Sequence, residues 1–177
     1  MRSIAVGSVA AAIVMFALGF LFFGLLGMTM FDPLDAEAAA SAQQALGGIL
    51  PGTGNYAVPL EGEAFMRGPA AIINFVAAGG APAMPVAMGM GFVNFLLTAL
   101  LLAYGLAAVG GDFSRQARVV TWFGLAASAY MNLGDPIWYG FAWRQSLFEF
   151  VAGGVILIAG GLVLARWFTS KRAAVAA

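Results

Sequence analysis

Residues 4–28 have the sequence IAVGSVAAAIVMFALGFLFFGLLGM, a run of 25 positions without a charged side chain. A helix needs roughly 20 apolar residues to cross the hydrocarbon core of a bilayer. A cleavable signal peptide is the alternative, because Arg2 precedes the run and Ala38–Ala40 supplies small residues. The apolar core of a signal peptide is only about 7–15 residues long, however, and its cleavage site follows directly. The sequence therefore predicts an uncleaved membrane-spanning helix.

The composition of the whole chain points the same way. Of its 177 residues, 62% are hydrophobic and 9% are charged, the formal net charge is zero, and the mean hydropathy is +0.93. Soluble domains carry about 25% charged residues. This composition excludes a soluble enzyme and a disordered chain. It also argues against nucleic-acid binding, which needs a basic surface to neutralise phosphates.

Two residue types are missing, and their absence limits the chemistry. The chain has no cysteine and no histidine. Thiolate nucleophiles, iron–sulfur clusters, bis-histidine haem and a Ser-His-Asp relay are therefore excluded. We expect no metal and no cofactor.

Three further stretches predict membrane helices, at about residues 86–109, 116–134 and 146–168. Pro82 and Pro85 mark the start of the second span. The third is the shortest, with Arg115 and Arg118 at its membrane edge. The predicted fold is all-α: one integral membrane domain, residues 1–177, built as a bundle of four transmembrane helices.

The charges predict the orientation of this bundle. One side of the membrane would carry a single acid, Asp112, and six basic residues: Arg2, Arg115, Arg118, Arg166, Lys171 and Arg172. The other side would carry two basic residues and seven acids. Because cytoplasmic loops carry the excess of Lys and Arg, both termini are predicted to lie in the cytoplasm of a bacterium. The loop at about residues 29–84 is then periplasmic, and the chain is a multi-pass protein of the inner membrane.

The loop at 29–84 is long enough to form a small cap over the bundle. Asp32–Pro33 is typical of a helix N-cap followed by proline. Asp35–Leu46 is rich in Ala, Glu and Gln and predicts a short helix that stops at Gly47–Gly48.

Two alternatives stay open for the rest of this loop. Residues 56–59 and 70–76 have the composition of two short strands that pair as a β-hairpin. An apolar run this short also fits the helical period, so residues 70–78 would otherwise form an interfacial helix.

Polar side chains gather in the predicted link between the third and fourth spans. Asp135, Arg144 and Glu149 would converge in a small pocket under the loop, with Trp138 and Tyr139 beside them. The simpler interpretation is an aromatic belt at the headgroup level with a proline turn. A structural pair is also favoured over a proton relay for Glu149, since the other spans contain no acid.

Two asparagines complete the set of candidate ligand-binding residues. Asn94 lies in the second span, four residues before Thr98, and Asn132 lies near the outer end of the third. Asparagine in a span more often bonds a neighbouring helix than a ligand. Small residues at helical spacing, such as Gly161 and Ala165, favour a tight bundle or a docking face.

Three short motifs resemble those of a loosely defined group of small bacterial inner-membrane proteins. They are Gly19-Phe20-x-Phe22 in the first span, Gly54-Asn55-Tyr56-x-Val58-Pro59 with Gly68-Pro69 in the loop, and the Pro85-led second span. The resemblance implies four membrane helices with an outer loop between the first two, and no particular activity.

These features together predict a non-enzymatic protein. The leading hypothesis is an accessory or structural subunit of a larger membrane assembly, or of a homo-oligomer, in contact with the lipid bilayer. The alternative is the binding of a lipid, a quinone or another apolar small molecule between the helices under the cap. An enzyme with Asp135 or Glu149 as general base ranks third.

Overall fold

The computed structural model describes residues 2–59, 61–78 and 84–176. Its elements follow in the order α1 (Arg2–Gly19), a π-helical segment (Phe20–Leu26) and a 3-10 turn (Gly27–Met30) that continue α1, α2 (Ala36–Ile49), β1 (Gly54–Val58), α3 (Gly62–Arg67), β2 (Ala71–Phe75), α4 (Met84–Val109), α5 (Phe113–Asn132), α6 (Asp135–Trp138) and α7 (Trp143–Ala176). The chain divides into two compact units. One comprises Met1–Phe31 with Met84–Ala177, and the other is Asp32–Ala83.

Within the described residues, three helices are long and apolar enough to cross a membrane: Ile4–Met30, Met84–Val109 and Trp143–Thr169. They confirm a predominantly helical, multi-pass membrane protein. The third predicted span does form a helix, α5, but it is not among these three. Its first turns contain Arg115, Gln116 and Arg118, which lower its mean hydropathy.

The helix ends differ from the predicted ones for local reasons. Helix α4 begins two residues early, at Met84, because Pro85 fits the first turn, where its missing N–H is not needed; Pro82 lies outside the described residues. Helix α5 runs over Phe113–Asn132 rather than 116–134, because the Asp112 side chain caps it by accepting a hydrogen bond from Arg115 N at 2.8 Å.

The two outer spans are longer than predicted. Helix α7 extends over 34 residues instead of 146–168, since neither proline nor a glycine stop interrupts it. The first helical run widens into the π-helical segment and then continues past Met28 to Met30 as the 3-10 turn. There the rings of Phe22 and Phe23 each pack edge-on against Phe148 of α7, with centroids 6.3 and 6.2 Å apart.

Helix α7 is the common partner of α1 and α5, and small residues make both contacts possible. A Cβ added at Gly160 would lie 2.5 Å from Met15 Cγ on α1. A Cβ at the next residue, Gly161, would overlap the side chain of Val120 on α5. Without a hydrophobic force between helices in lipid, such close approach is what holds them together. The predicted tight bundle is therefore built on this glycine pair.

Helices α5 and α7 are antiparallel, and three contacts show their register. Gly161 faces Val120, Gly124 faces Ile158 with 2.8 Å between an added Cβ and Cγ1, and Gly153 faces Ser128. The residue numbers of the contacting positions fall along α7 as they rise along α5. The two helices thus pack side by side over the middle of the Trp143–Thr169 span.

Helix α4 packs mainly against α1 and less extensively against α7. The ring of Phe16 meets those of Phe92 and Phe95 edge-on, with centroids 5.8 and 6.3 Å apart. Ala99 and Ala103 are fully buried, which allows the α4 backbone to approach the core. The faces of α4 away from α1 stay exposed, as lipid-facing residues would be.

The second unit, Asp32–Ala83, contains α2 and a two-stranded sheet. Strands β1 and β2 are antiparallel, with Tyr56 opposite Ile73, so the hairpin is confirmed and the interfacial helix at 70–78 is wrong. Alternate residues of β2 are partly buried, as in a strand whose side chains pair with those of its neighbour. Such pairing stabilises the extended conformation of this segment.

Helix α2 corrects two details of the predicted helix in this unit. Its N-cap is Asp35, which accepts a hydrogen bond from Ala38 N at 2.8 Å, and not Asp32. It also continues through Gly47–Gly48 to Ile49. Two glycines cost about 1 kcal/mol each within a helix. The helix ends instead before Pro51, which forces the preceding Leu50 into an extended conformation.

Candidate functional site

The predicted polar link is a short, largely exposed segment that connects α5 to α7. Asp135 begins α6 and is half-buried, with Pro136 buried beside it. Trp138 is 80% exposed and Tyr139 is 62% exposed. Aromatic side chains in this setting match the interfacial belt better than the wall of a pocket.

Arg144 and Glu149, both in the first turns of α7, bond in different directions. Arg144 Nη2 donates to the carbonyl oxygen of Met30 at 2.8 Å, which ties the end of the first helical run to the start of α7. Glu149 is half-buried and accepts a hydrogen bond from Gln145 Nε2 at 3.0 Å, one turn earlier on its own helix. These contacts fix the geometry of the link.

Asn132 belongs to a chain of hydrogen bonds between α5 and α7. Its Nδ2 donates to the carbonyl oxygen of Ser128 at 2.9 Å and to Ser128 Oγ at 3.3 Å. Ser128 Oγ in turn donates to the carbonyl oxygen of Phe150 at 2.7 Å. Ser128 is 1% exposed, so this chain supports helix packing.

Asn94 lies apart from the link, in the first half of α4, and its side chain is exposed. Its carbonyl oxygen accepts a hydrogen bond from Thr98 Oγ1 at 3.0 Å. The structure thus brings Asn132 to Ser128 and Arg144 to Met30. Asn94 stands away from the link residues, on a different helix.

An apolar cavity of the bundle lies elsewhere, toward the turn that joins α4 to α5. It has a volume of about 300 Å³ and opens between those two helices. Helix α4 contributes Thr98, Leu101, Leu102, Gly105, Leu106 and Val109; α5 contributes Val119, Val120 and Phe123; α7 contributes Leu157. We call this cavity the α4–α5 groove.

The groove exists because α4 and α5 pack on different partners. Helix α4 is held mainly by α1 and α5 by α7, so the two diverge and leave Leu157 of α7 at the floor between them. Leu106 and Val120 are each only 3% exposed and form the inner walls. Gly105 widens the groove, since a Cβ placed there meets no atom within 4 Å.

One polar side chain near the start of α5 is buried without a partner. Gln116 of α5 is fully buried, and within the described residues neither its Oε1 nor its Nε2 has a hydrogen-bond partner. Leaving a buried amide unpaired costs about 1–3 kcal/mol. Ser8 of α1 is also buried with an unpartnered Oγ.

Sequence reasoning missed both the groove and Gln116. The available signal was a glutamine at the first position of the predicted third span, between Arg115 and Arg118. The flanking arginines indicated that this stretch lies at the edge of the membrane, where side chains are exposed to water. That the glutamine is buried follows from the α5–α7 contact, which the sequence does not show.

Within the described ranges, no group of three or more Asp, Glu, His or Cys side chains is placed to hold a metal ion. The groove is lined by aliphatic and aromatic carbon, with Thr98 as its only polar side chain among the lining residues. Such a surface can bind an apolar chain by desolvation and shape.

No family model matches this chain, and neither a curated protein nor a solved structure matches it at a significant level.

Proposed function

We propose that this protein is a non-enzymatic, multi-pass protein of a bacterial inner membrane that binds one long apolar molecule, a lipid or isoprenoid, in the α4–α5 groove. The observation that carries the proposal is the groove itself: about 300 Å³, lined by carbon, and open between two helices. An acyl or isoprenoid chain enters such an opening sideways from the bilayer. The predicted site around Trp138 and Arg144 lies beyond the other end of α5.

The proposal includes α5 as the fourth crossing. Val120, Gly124 and Ser128 lie against Gly161, Ile158 and Gly153, the middle of an apolar 27-residue span. A helix packed antiparallel along the middle of a spanning helix shares its depth in the bilayer. With four crossings, the charge bias puts both termini in the cytoplasm and residues 32–83 in the periplasm.

Single cysteines test this topology, because the natural chain contains none. Ser114 lies in the first turn of α5 and Ala142 lies beyond its last turn, directly before α7, and both positions are exposed. We expect an impermeant maleimide to label Ala142→Cys in intact cells and Ser114→Cys only after permeabilisation. Ala40→Cys in α2 serves as the periplasmic reference. Labelling of positions 114 and 142 from the same side would show that α5 does not cross.

Filling the groove tests the binding function. Gly105→Leu places its side chain in open space, so it blocks the groove without a clash, and leucine favours a helix more than glycine does. We expect the bound lipid or isoprenoid, measured by native mass spectrometry after purification in mild detergent, to fall by about tenfold or more.

Gly89→Leu is the matched control. Gly89 also lies on α4 with no atom within 4 Å of an added Cβ, but it does not line the groove. This variant should retain the ligand. Equal retention in Gly105→Leu and Gly89→Leu would contradict the proposal. Loss of a copurifying protein in Gly105→Leu, with lipid unchanged, would favour the accessory-subunit hypothesis instead.

A further inference from the structure

One face of α4 packs against no other described part of the chain. Its exposed residues recur at alternating intervals of four and three positions, the spacing of a helix that packs side by side with another helix. Since successive residues are rotated by about 100°, this face points away from Ala99 and Ala103, which are buried in the core of the bundle. We call it the α4 seam; its members, all exposed, are Met90, Asn94, Leu97, Leu101, Tyr104 and Ala108.

The seam carries an amide near the middle of the span. Helix α4 begins at Met84 and ends at Val109. With a rise of about 1.5 Å per residue, Asn94 lies about 15 Å from the first end and about 22 Å from the second. In a hydrocarbon core about 30 Å thick, both distances place its side chain close to the midplane. Neither water nor lipid tails satisfy a polar group there.

The Asn94 amide differs in this respect from the other polar side chains of the bundle helices. Asn132 bonds Ser128, which in turn bonds a carbonyl oxygen of α7. The hydroxyls of Thr98 and Thr169 each donate to a carbonyl oxygen of the preceding turn. The side chain of Asn94, with two donor hydrogens and one acceptor oxygen, makes no hydrogen bond within the described residues; only its backbone carbonyl is used, by Thr98.

We propose that two copies of this protein form a parallel dimer through the α4 seam, with the two Asn94 amides hydrogen-bonded across its two-fold axis. An amide contains both a donor and an acceptor, so it is complementary to itself. Copies inserted with the same orientation hold Asn94 at the same depth, so each amide meets its equivalent. A different protein would need a polar group of its own at that depth.

The apolar members of the seam complete the contact. Leu97 and Leu101 follow Asn94 at the spacing of the seam, and they pack between their equivalents as in a left-handed helix pair. A single asparagine in such a seam fixes the register of the two helices. The dimer is argued independently of lipid binding, because Leu101 alone belongs both to the seam and to the residues that line the α4–α5 groove.

Energy transfer between labelled copies tests the role of the amide. The full chain is labelled at Ala40→Cys and diluted in phosphatidylcholine vesicles, which gives the dissociation constant of the dimer. In Asn94→Leu, which puts a good helix former at an exposed position, we expect this constant to rise by about three- to tenfold, the equivalent of one interhelical hydrogen bond in a membrane. Asn94→Gln keeps an amide and should dimerise more tightly than Asn94→Leu. Gly89→Leu is the control, since Gly89 is exposed on α4 but lies outside the seam.

Two adjacent alanines test the geometry. Ala107 and Ala108 are both exposed near the end of α4, but only Ala108 belongs to the seam. Oxidation with copper phenanthroline in native membranes should therefore join two copies of Ala108→Cys by a disulfide, and Ala107→Cys much less. Gel electrophoresis without reductant measures the dimer fraction. Because this pair leaves Asn94 in place, it tests the seam even where Asn94→Leu fails to fold.

The dimer is overturned if the natural protein stays monomeric at every protein-to-lipid ratio. It is also overturned if Asn94→Leu dimerises as tightly as the natural protein, or if positions 107 and 108 cross-link equally. A different protein that copurifies from native membranes and is lost in Asn94→Leu would assign the seam to that protein and refute the dimer as well. Circular dichroism of each variant verifies that weaker dimerisation does not come from loss of fold.

Discussion

Replacing Gly161 with alanine should destabilise the protein by about 1–3 kcal/mol, the usual cost of overpacking a core. The new Cβ would occupy the position of the Val120 side chain, which is itself 3% exposed. Valine in a helix has one strongly preferred rotamer, so its methyl groups have little room to turn aside. The helix axes of α5 and α7 must then separate. Equilibrium unfolding with increasing SDS in mixed micelles measures the change.

Neighbouring glycines provide graded controls for this substitution. Gly160→Ala meets Met15, whose unbranched chain can change rotamer, so its cost should be smaller. Gly105→Ala meets nothing within 4 Å and should not destabilise. Equal costs at Gly160 and Gly161, or none at Gly161, would show that the glycine pair does not set the contact.

A second substitution tests whether Val120 is the cause. Val120→Ala alone removes two methyl groups from a buried site and should destabilise. In the Gly161→Ala background the same change relieves the overlap, so the double variant should be more stable than the sum of the two single costs predicts. Additive costs would locate the strain elsewhere.

The long apolar helices were predictable because a segment that crosses the hydrocarbon core must be long, apolar and uncharged. Residues 4–28 and 86–109 contain no charge, and both lie within observed helices that end at most two residues away at either end. Their exact ends depend on local contacts. The π-helical segment at Phe20–Leu26, for example, packs its phenylalanines on Phe148, and no periodicity in the sequence announces it.

The loop between the first two spans shows how local rules compete. Turn residues at 51–55 and two strand-like segments favoured a hairpin but left an interfacial helix open at residues 70–78, and the structure shows the hairpin. The glycine stop at Gly47–Gly48 failed because a good helical run carries past two glycines when a proline further on supplies the end. A glycine motif alone is a weak predictor of a helix end when a proline lies within one turn of it.

The candidate site was the least predictable part. Asn132 was a candidate ligand-binding residue with helix packing as the simpler interpretation, and the structure shows it bonded to Ser128, which in turn bonds α7. The groove depends on the divergence of α4 and α5, and that divergence depends on which partner each helix prefers. Pairing preferences between apolar helices come from side-chain fit at Gly160, Gly161 and Ala103. Such fit is a property of the assembled bundle.

Replacing Gln116 with leucine should raise the stability of the ligand-free protein by about 1–3 kcal/mol, the amount released when a buried unpaired amide is removed. The two side chains are similar in size, and Gln116 is surrounded by protein on all sides. SDS unfolding of protein stripped of lipid measures the change.

Gln145→Leu gives the opposite expectation for the same chemical change. Its amide donates to Glu149, so the variant leaves a half-buried carboxylate with one fewer partner and should be less stable than the natural protein. A Gln116→Leu variant that is less stable than the natural protein would mean that the amide already has a partner, such as a buried water.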